Sequence, residues 1–235
     1  MSQPGARRRR ALQPLVERLR SIRSLSRQPL TETAFTVIDT ELTGLDPDSD
    51  EILAIGAIRM IGTHILVGQT LYSTLRPERW SWGTSVPVHG IRPVDVLQAP
   101  TVDAVLPALV EFWTGTVIVG YGVELDRRVL ERSLARLKMD EFPRLWLDIA
   151  RVERWLRSRG GQYPEASTAE GSPTLAGLAH AEGIAVPAAH HALADAFVAA
   201  QLWQRQLTQL LAENVTTVGD LSLIGALRWS RGPWR

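Results

Sequence analysis

Ala34-Phe35-Thr36-Val37-Ile38-Asp39-Thr40-Glu41-Leu42-Thr43-Gly44 is the stretch on which the fold turns. Residues 34–39 are mostly apolar and rich in β-branched side chains, which predicts a buried strand ending at Asp39. Thr43-Gly44-Leu45-Asp46-Pro47-Asp48 is turn chemistry, so the chain doubles back there. Residues 51–60 read as a second strand and, after Gly62, residues 64–75 as a third. Three strands joined by short turns predict an antiparallel meander. Asp39 and Glu41 stand two positions apart, and in an extended segment such positions share a face. Their oxygens are therefore placed to converge on one hard cation, although acidic pairs at strand ends are also common as solvated groups.

Past Pro93 the periodicity changes. Residues 102–113 and 124–137 read as amphipathic helices, with Val105, Leu106, Leu109, Val110 and Trp113 inward on the first. The inward set on the second is Leu125, Val129, Leu130, Leu134 and Leu137. Short strands are expected at 116–119 and 145–147, the latter leading into a helix to about 156. Residues 157–173 are rich in Gly, Ser, Pro and Thr and read as a loop. A short helix over 174–182 and a long one over 192–211 follow. The order β-β-β-α-β-α-β-α-α predicts an α/β fold: a mixed sheet, a three-strand antiparallel meander plus parallel strands, flanked by helices. The expected division is a basic, partly helical extension at 1–32, the α/β domain at 33–211 and a tail at 212–235.

The 235 residues are 45% hydrophobic and 22% charged, an ordinary globular composition. There is no cysteine, which excludes disulfides, thiolate metal sites and thiol nucleophiles, and leaves oxygen or imidazole as metal donors. The net charge of +1 is unevenly spread. Residues 1–30 hold eight arginines against Glu17, which is +8 − 1 = +7 and leaves −6 for the remainder. A basic arm on a mildly acidic body suits a polyanionic partner. Leu12, Leu15, Val16, Leu19 and Ile22 have helical spacing, so 11–23 is expected to form an amphipathic helix. An arginine-rich, acid-poor start also resembles a mitochondrial transit peptide. No apolar run is long enough to span a bilayer and no apolar stretch follows Arg7–Arg10, so a cytoplasmic, membrane-free protein is expected.

Asp126 opens a predicted helix and Asp195 lies in the first turn or so of the long one, with His190 five residues before it. Either acid alone could serve the helix dipole. Together with Asp39 and Glu41, however, they make four acids at strand ends and helix starts, with a histidine near the last. Clustered acids repel, and a cation offsets that cost. Histidine's ordinary pKa of ~6.5 suits general-base work near neutrality. Trp80 and Trp82 fit loop or core packing better than base stacking.

At these residues the chain resembles the DEDD-type 3′→5′ exonucleases of the histidine subgroup, its proofreading epsilon-subunit branch above all. Asp39-Thr40-Glu41-Leu42-Thr43-Gly44-Leu45 resembles that family's first motif, and His190-His191-Ala192-Leu193-Ala194-Asp195-Ala196 its last. Val88-His89-Gly90-Ile91 is similar to a His-Gly-Ile element of proofreading members. Tyr121-Gly122-Val123-Glu124-Leu125-Asp126 departs from the family's His-Asn-x-x-Phe-Asp, keeping the aspartate but losing the His-Asn pair. The resemblance implies an RNase H-like fold and two divalent cations, Mg²⁺ or Mn²⁺. It implies Asp39, Glu41, Asp126 and Asp195 as metal ligands and catalytic residues, and His190 as the base that takes a proton from the attacking water. Leu42, Thr43, Leu45 and His89 are the implied substrate contacts. DNA 3′ ends are the implied substrate, with release of nucleoside 5′-monophosphates, and a DNA polymerase subunit is a candidate partner. The alternatives are an exoribonuclease or oligoribonuclease, which Asp126-Arg127-Arg128 also fits, and a catalytically weak nucleic-acid-binding module.

Overall fold

The computed structural model describes residues 24–79, 90–139, 142–143, 145–160, 174–187 and 190–229. The expected helix at 11–23, Trp80, Trp82, His89 and most of the loop at 157–173 lie outside the described residues.

Strands β1 (Ala34–Leu42), β2 (Ile52–Ile61) and β3 (His64–Thr74) form the antiparallel meander. Helices α1 (Pro93–Val96) and α2 (Val102–Trp113) lead into β4 (Val117–Gly120), which pairs parallel with β1. Helix α3 (Glu124–Arg136) returns the chain to β5 (Leu145–Asp148), parallel to β4. Then come α4 (Ile149–Gly160), α5 (Leu175–Ala181) and the long α6 (Ala192–Ala212). Helix α7 (Val218–Leu223) and strand β6 (Leu227–Trp229) finish the chain. The six strands are ordered β3-β2-β1-β4-β5-β6. The mixed sheet is as the alternation of elements predicted.

Three features differ from the sequence reading. Strand β1 runs past Asp39 to Leu42, because pairing with β2 continues through Glu41 and breaks register only between Glu41 and Leu42. Helix α4 reaches Gly160, absorbing the start of the expected loop. Residues 218–229 contribute a capped helix and an edge strand antiparallel to β5. Their brevity kept them below any periodic signal.

Side chains alternate across β1, and each face meets its own layer. Phe35 and Val37 point into one core with Val198, Ala199, Leu202 and Trp203 of α6, joined by Val152 of α4 and Leu178 of α5. Phe35 meets Trp203 edge-on at 5.2 Å between ring centroids. Ile38 points the other way, into a core with Leu106, Leu109 and Trp113 of α2 and Val129, Leu130 and Leu134 of α3. Two apolar layers sandwich the sheet, and its strand ends are fixed on both sides. Among the described residues, no helix is long and apolar enough to cross a membrane.

The first described residues belong to this packing. Leu30 is fully buried in the α6-side core, and its amide donates to the Thr216 carbonyl at 2.8 Å. The Val218 amide donates to the Gln28 carbonyl at 3.0 Å, tying the segment to the start of α7. Replacing Leu30 with Ala leaves a cavity, and a loss of about 2–5 kcal/mol is expected in urea unfolding. A loss below about 1 kcal/mol would mean that this segment is not part of the cooperative fold.

Candidate active site

Asp39 and Glu41 lie on the α6 face of β1, the face that carries Phe35 and Val37. Asp195, in the first turn of α6, faces them across the top of the sheet. Carboxylate oxygens of Asp39, Glu41 and Asp195 all lie within 4.8 Å of one another. What lets the helix come so close is Gly56. It pairs with Asp39 across β1 and β2, and a Cβ there would collide with the backbone of Ala192 and Leu193. Glycine inside a strand marks such close backbone approach.

The start of α6 is held by its own polar groups. His191 is the N-cap, and its Nδ1 accepts from the Ala194 amide at 3.4 Å. His190 has a left-handed backbone, φ 62°, uncommon outside glycine. Its amide donates to Asp195 Oδ2 at 2.8 Å. The expected histidine is thus tied by its main chain to the expected carboxylate. Asp39, Glu41, His190 and Asp195 line one cleft of about 580 Å³, together with Tyr121 and Thr174.

Asp126 comes from the opposite layer, at the start of α3. Its Oδ1 accepts from both the amide of Thr40, at 3.1 Å, and the Thr40 hydroxyl. Because Thr40 points away from Asp39 and Glu41, Asp126 reaches the strand end from beneath. It stands outside the close trio yet adds its repulsion to both Asp39 and Glu41.

Burial, then the neighbouring acids, push Asp39 well above the usual carboxylate range. Burial, followed by Asp195 and Asp126, raises Glu41 to about 7. Burial raises Asp126 to about 6 against the opposing hydrogen bonds from Thr40. Asp195 is raised by burial and partly relieved by the His190 amide. No Lys or Arg lines the cleft among the described residues. The missing counter-charge and an all-oxygen donor set fit a hard divalent cation.

The implied substrate contacts are dispersed. Leu42 is buried in the α2–α3 core. The Thr43 amide donates to the Glu51 carbonyl at 2.9 Å and its hydroxyl to Asp50 Oδ1 at 2.7 Å, so both serve the turn. Leu45 stands 85% exposed at the turn tip.

Sequence reasoning missed four residues near the site: Thr40, Gly56, Tyr72 and Asp148. Gly56 carried a signal, an isolated glycine in an apolar strand. Asp148, at the end of β5, accepts from the Gly122 amide at 3.1 Å and the Ala150 amide at 2.9 Å. Gly122 has φ 58°, so the departure Tyr121-Gly122 is a left-handed turn pinned by a carboxylate.

The exonuclease family model matches residues 36–203. An epsilon-like DNA polymerase III subunit protein of Rhodobacter capsulatus is 31% identical over 83% of this chain and 27% of its own length. The DNA polymerase III subunit epsilon of Aquifex aeolicus is 24% identical over 78% of this chain and 85% of its own. E. coli exonuclease I, solved with a dT13 oligonucleotide, shares the fold with a TM-score of 0.67 at 22% identity, over 78% of this chain and 43% of that one. This chain spans about a quarter of the Rhodobacter relative's length.

The raised carboxylates set the sign of a pH effect. A group raised on folding stabilises below its unfolded pKa and loses that contribution as pH rises through the folded value. For Glu41 that interval runs from 4.5 to about 7. In chelator, melting temperature should therefore fall between pH 5 and 8 (conditions flanking that interval), more steeply for wild type than for Glu41→Gln. About 1 kcal/mol shifts the melting temperature by roughly 2–4 °C in a chain of this size. Mg²⁺ or Mn²⁺ at the upper pH should restore it. Parallel pH slopes for the two proteins would contradict the electrostatic reading.

Proposed function

The chain belongs to the exonuclease family, and from that premise we propose that it removes nucleotides from the 3′ ends of DNA, releasing nucleoside 5′-monophosphates. The observation that carries this reading is the trio Asp39, Glu41 and Asp195 within 4.8 Å, lining a cleft with His190. Single-stranded or frayed 3′ ends are the proposed substrates, in proofreading or repair. The Rhodobacter and Aquifex relatives, an epsilon-like protein and an epsilon subunit of DNA polymerase III, support the DNA preference. An open cleft of about 580 Å³ has room for an unpaired terminal nucleotide.

In this reading Asp39, Glu41 and Asp195 hold one divalent cation, Mg²⁺ or Mn²⁺, and Asp126 serves a second from beneath the strand end. Such ions supply charge neutralisation at the phosphodiester and a more acidic bound water. The chain's own groups do the rest. His190 accepts the proton of the attacking water on an imidazole nitrogen, from a backbone held by the hydrogen bond its amide donates to Asp195. His190 lines the cleft and has a left-handed backbone, which supports this role. Thr40 orients Asp126 through two hydrogen bonds. The strand-end location gives the acids a rigid platform. The motif-bearing part of the catalytic unit is residues 33–211, and Leu30 and residues 215–229 complete its core and sheet. Partners in this reading are DNA 3′ ends and a polymerase or repair subunit.

The test is shortening of 5′-labelled single-stranded DNA, beside a matched RNA, in Mg²⁺, in Mn²⁺ and in chelator. A ladder receding from the 3′ end only with metal is expected, absent in Asp195→Ala. His190→Ala should lose on the order of 10²–10⁴-fold in rate, as for removal of a general base. His191→Ala should lose less. Faster loss of RNA would make this an exoribonuclease. No shortening of either strand would favour a nucleic-acid-binding module, for which the altered Tyr121-Gly122 turn is the supporting feature.

A further inference from the structure

Cross-strand partners at the level of the site run Asp39, Gly56, Tyr72 over β1, β2 and β3. Directly paired residues share a face, so these three form one row. The start of α6 sits over the middle member, where a Cβ would collide with the backbone of Ala192 and Leu193. Asp39 borders that slot on the inner side. On the outer side the Tyr72 ring stacks on the His191 imidazole, with centroids 4.8 Å apart and planes 18° from parallel.

Tyr72 is 44% exposed, so this ring does little for the core. Most of α6 is anchored elsewhere. Trp203 and Leu207 are fully buried, and Gln206 Nε2 donates to Glu153 Oε2 at 2.9 Å. The first turn seats Ala192 against the sheet at Gly56 and is otherwise held by its caps, of which His191 supplies two. Its Nδ1 takes the Ala194 amide and its carbonyl takes the Asp195 amide at 2.9 Å. A flat ring against a flat ring restricts both the rotation and the tilt of His191. His190, one peptide away, inherits that restriction through its left-handed backbone.

We propose that Tyr72 is a positioning residue for His190: its stack on His191 fixes the start of α6 and thereby the direction from which His190 meets the acid cluster. The proposal rests on His190 acting as the base in the exonuclease reading. The ring carries this role and the hydroxyl does not, so Tyr72→Phe and Tyr72→Ala separate it from direct action on substrate.

The experiment measures kcat and KM on a single-stranded DNA oligonucleotide with Mn²⁺, using the full chain. Misplacement of a catalytic group by about 1 Å can cost on the order of 10²-fold, so Tyr72→Ala should lose roughly 10- to 100-fold in kcat with KM within about twofold, and Tyr72→Phe should stay within about twofold of wild type. The rise in melting temperature on adding Mn²⁺ should survive in both variants, since the trio is intact. Wild-type kcat in Tyr72→Ala would overturn the proposal. Equal loss in Tyr72→Phe would do the same and give the hydroxyl the role, and a change confined to KM would make Tyr72 a substrate contact. Imidazole ¹H–¹⁵N spectra of His190 and His191 give a readout that needs no turnover. Tyr72→Ala should move both residues' signals, and movement of His191 alone would overturn the proposal even if wild type proved inactive on DNA and RNA.

Discussion

Three carboxylates held within 4.8 Å, in a cleft whose described lining has no Lys or Arg, oppose folding while they are charged and no cation is bound. Mutual repulsion and burial act in the same direction on Asp39 and Glu41. A chain keeps such an arrangement only if surrounding packing overrides it. The rest of the structure is arranged around that requirement. Strand β1 is buried on both faces up to Ile38, so the strand end that carries the acids cannot splay. Helix α6 is clamped over its length by Trp203, Leu207 and Leu210, so its start stays near the sheet despite the repulsion at Asp195. Gly56 removes the one side chain that would hold it off.

Repulsion is also relieved locally by backbone donors. Asp195 receives the His190 amide, and Asp126 receives the amide and hydroxyl of Thr40. Neutral donors of this kind stabilise a carboxylate without supplying a cation that would compete for the site. The same device recurs beside the cleft, where Asp148 takes the Gly122 and Ala150 amides. That carboxylate explains how the second motif persists without the family's His-Asn pair. The turn is held through its main chain, and Gly122 tolerates the left-handed backbone that the turn needs. Glu124, the additional acid in this motif, is tied to Arg127 at 2.8 Å.

Elements with a long periodic signal were legible in the sequence: β1 to β3, α2, α3 and α6 fall where apolar spacing placed them. The acid trio was legible because strand alternation and the family's motifs point to the same residues. Short or non-local features were not. Residues 218–229 form a six-residue helix and a three-residue strand, too brief for periodicity, and are set by pairing with Pro29 and β5. Tyr72 and Asp148 act on residues 119 and 26 positions away along the chain, and no local pattern announces such a partner. Thr43 shows the reverse. The motif resemblance implied a substrate contact at Thr43, but the turn closing back onto Glu51 uses its amide.

The two faces of β1 divide the acids unequally, and this follows from alternation alone. Asp39 and Glu41 share the α6 face and meet Asp195 there, while Asp126 comes with α3 from the other side and is steered by Thr40. Both hydrogen bonds from Thr40 fall on Asp126 Oδ1, which leaves Oδ2 outside that pair of bonds. Asp126 is therefore a carboxylate with one oxygen committed to the fold, beside a trio whose oxygens face one another. Were two cations bound as proposed, donor sets this different would make their positions inequivalent. One is built from three converging carboxylates on two rigid elements. The other depends on a hydrogen bond between layers and on the start of α3, whose preceding turn is itself pinned by Asp148. A change in the Tyr121-Gly122 turn would act on that proposed second position, through the placement of Asp126, and leave the trio on β1 and α6 as it is.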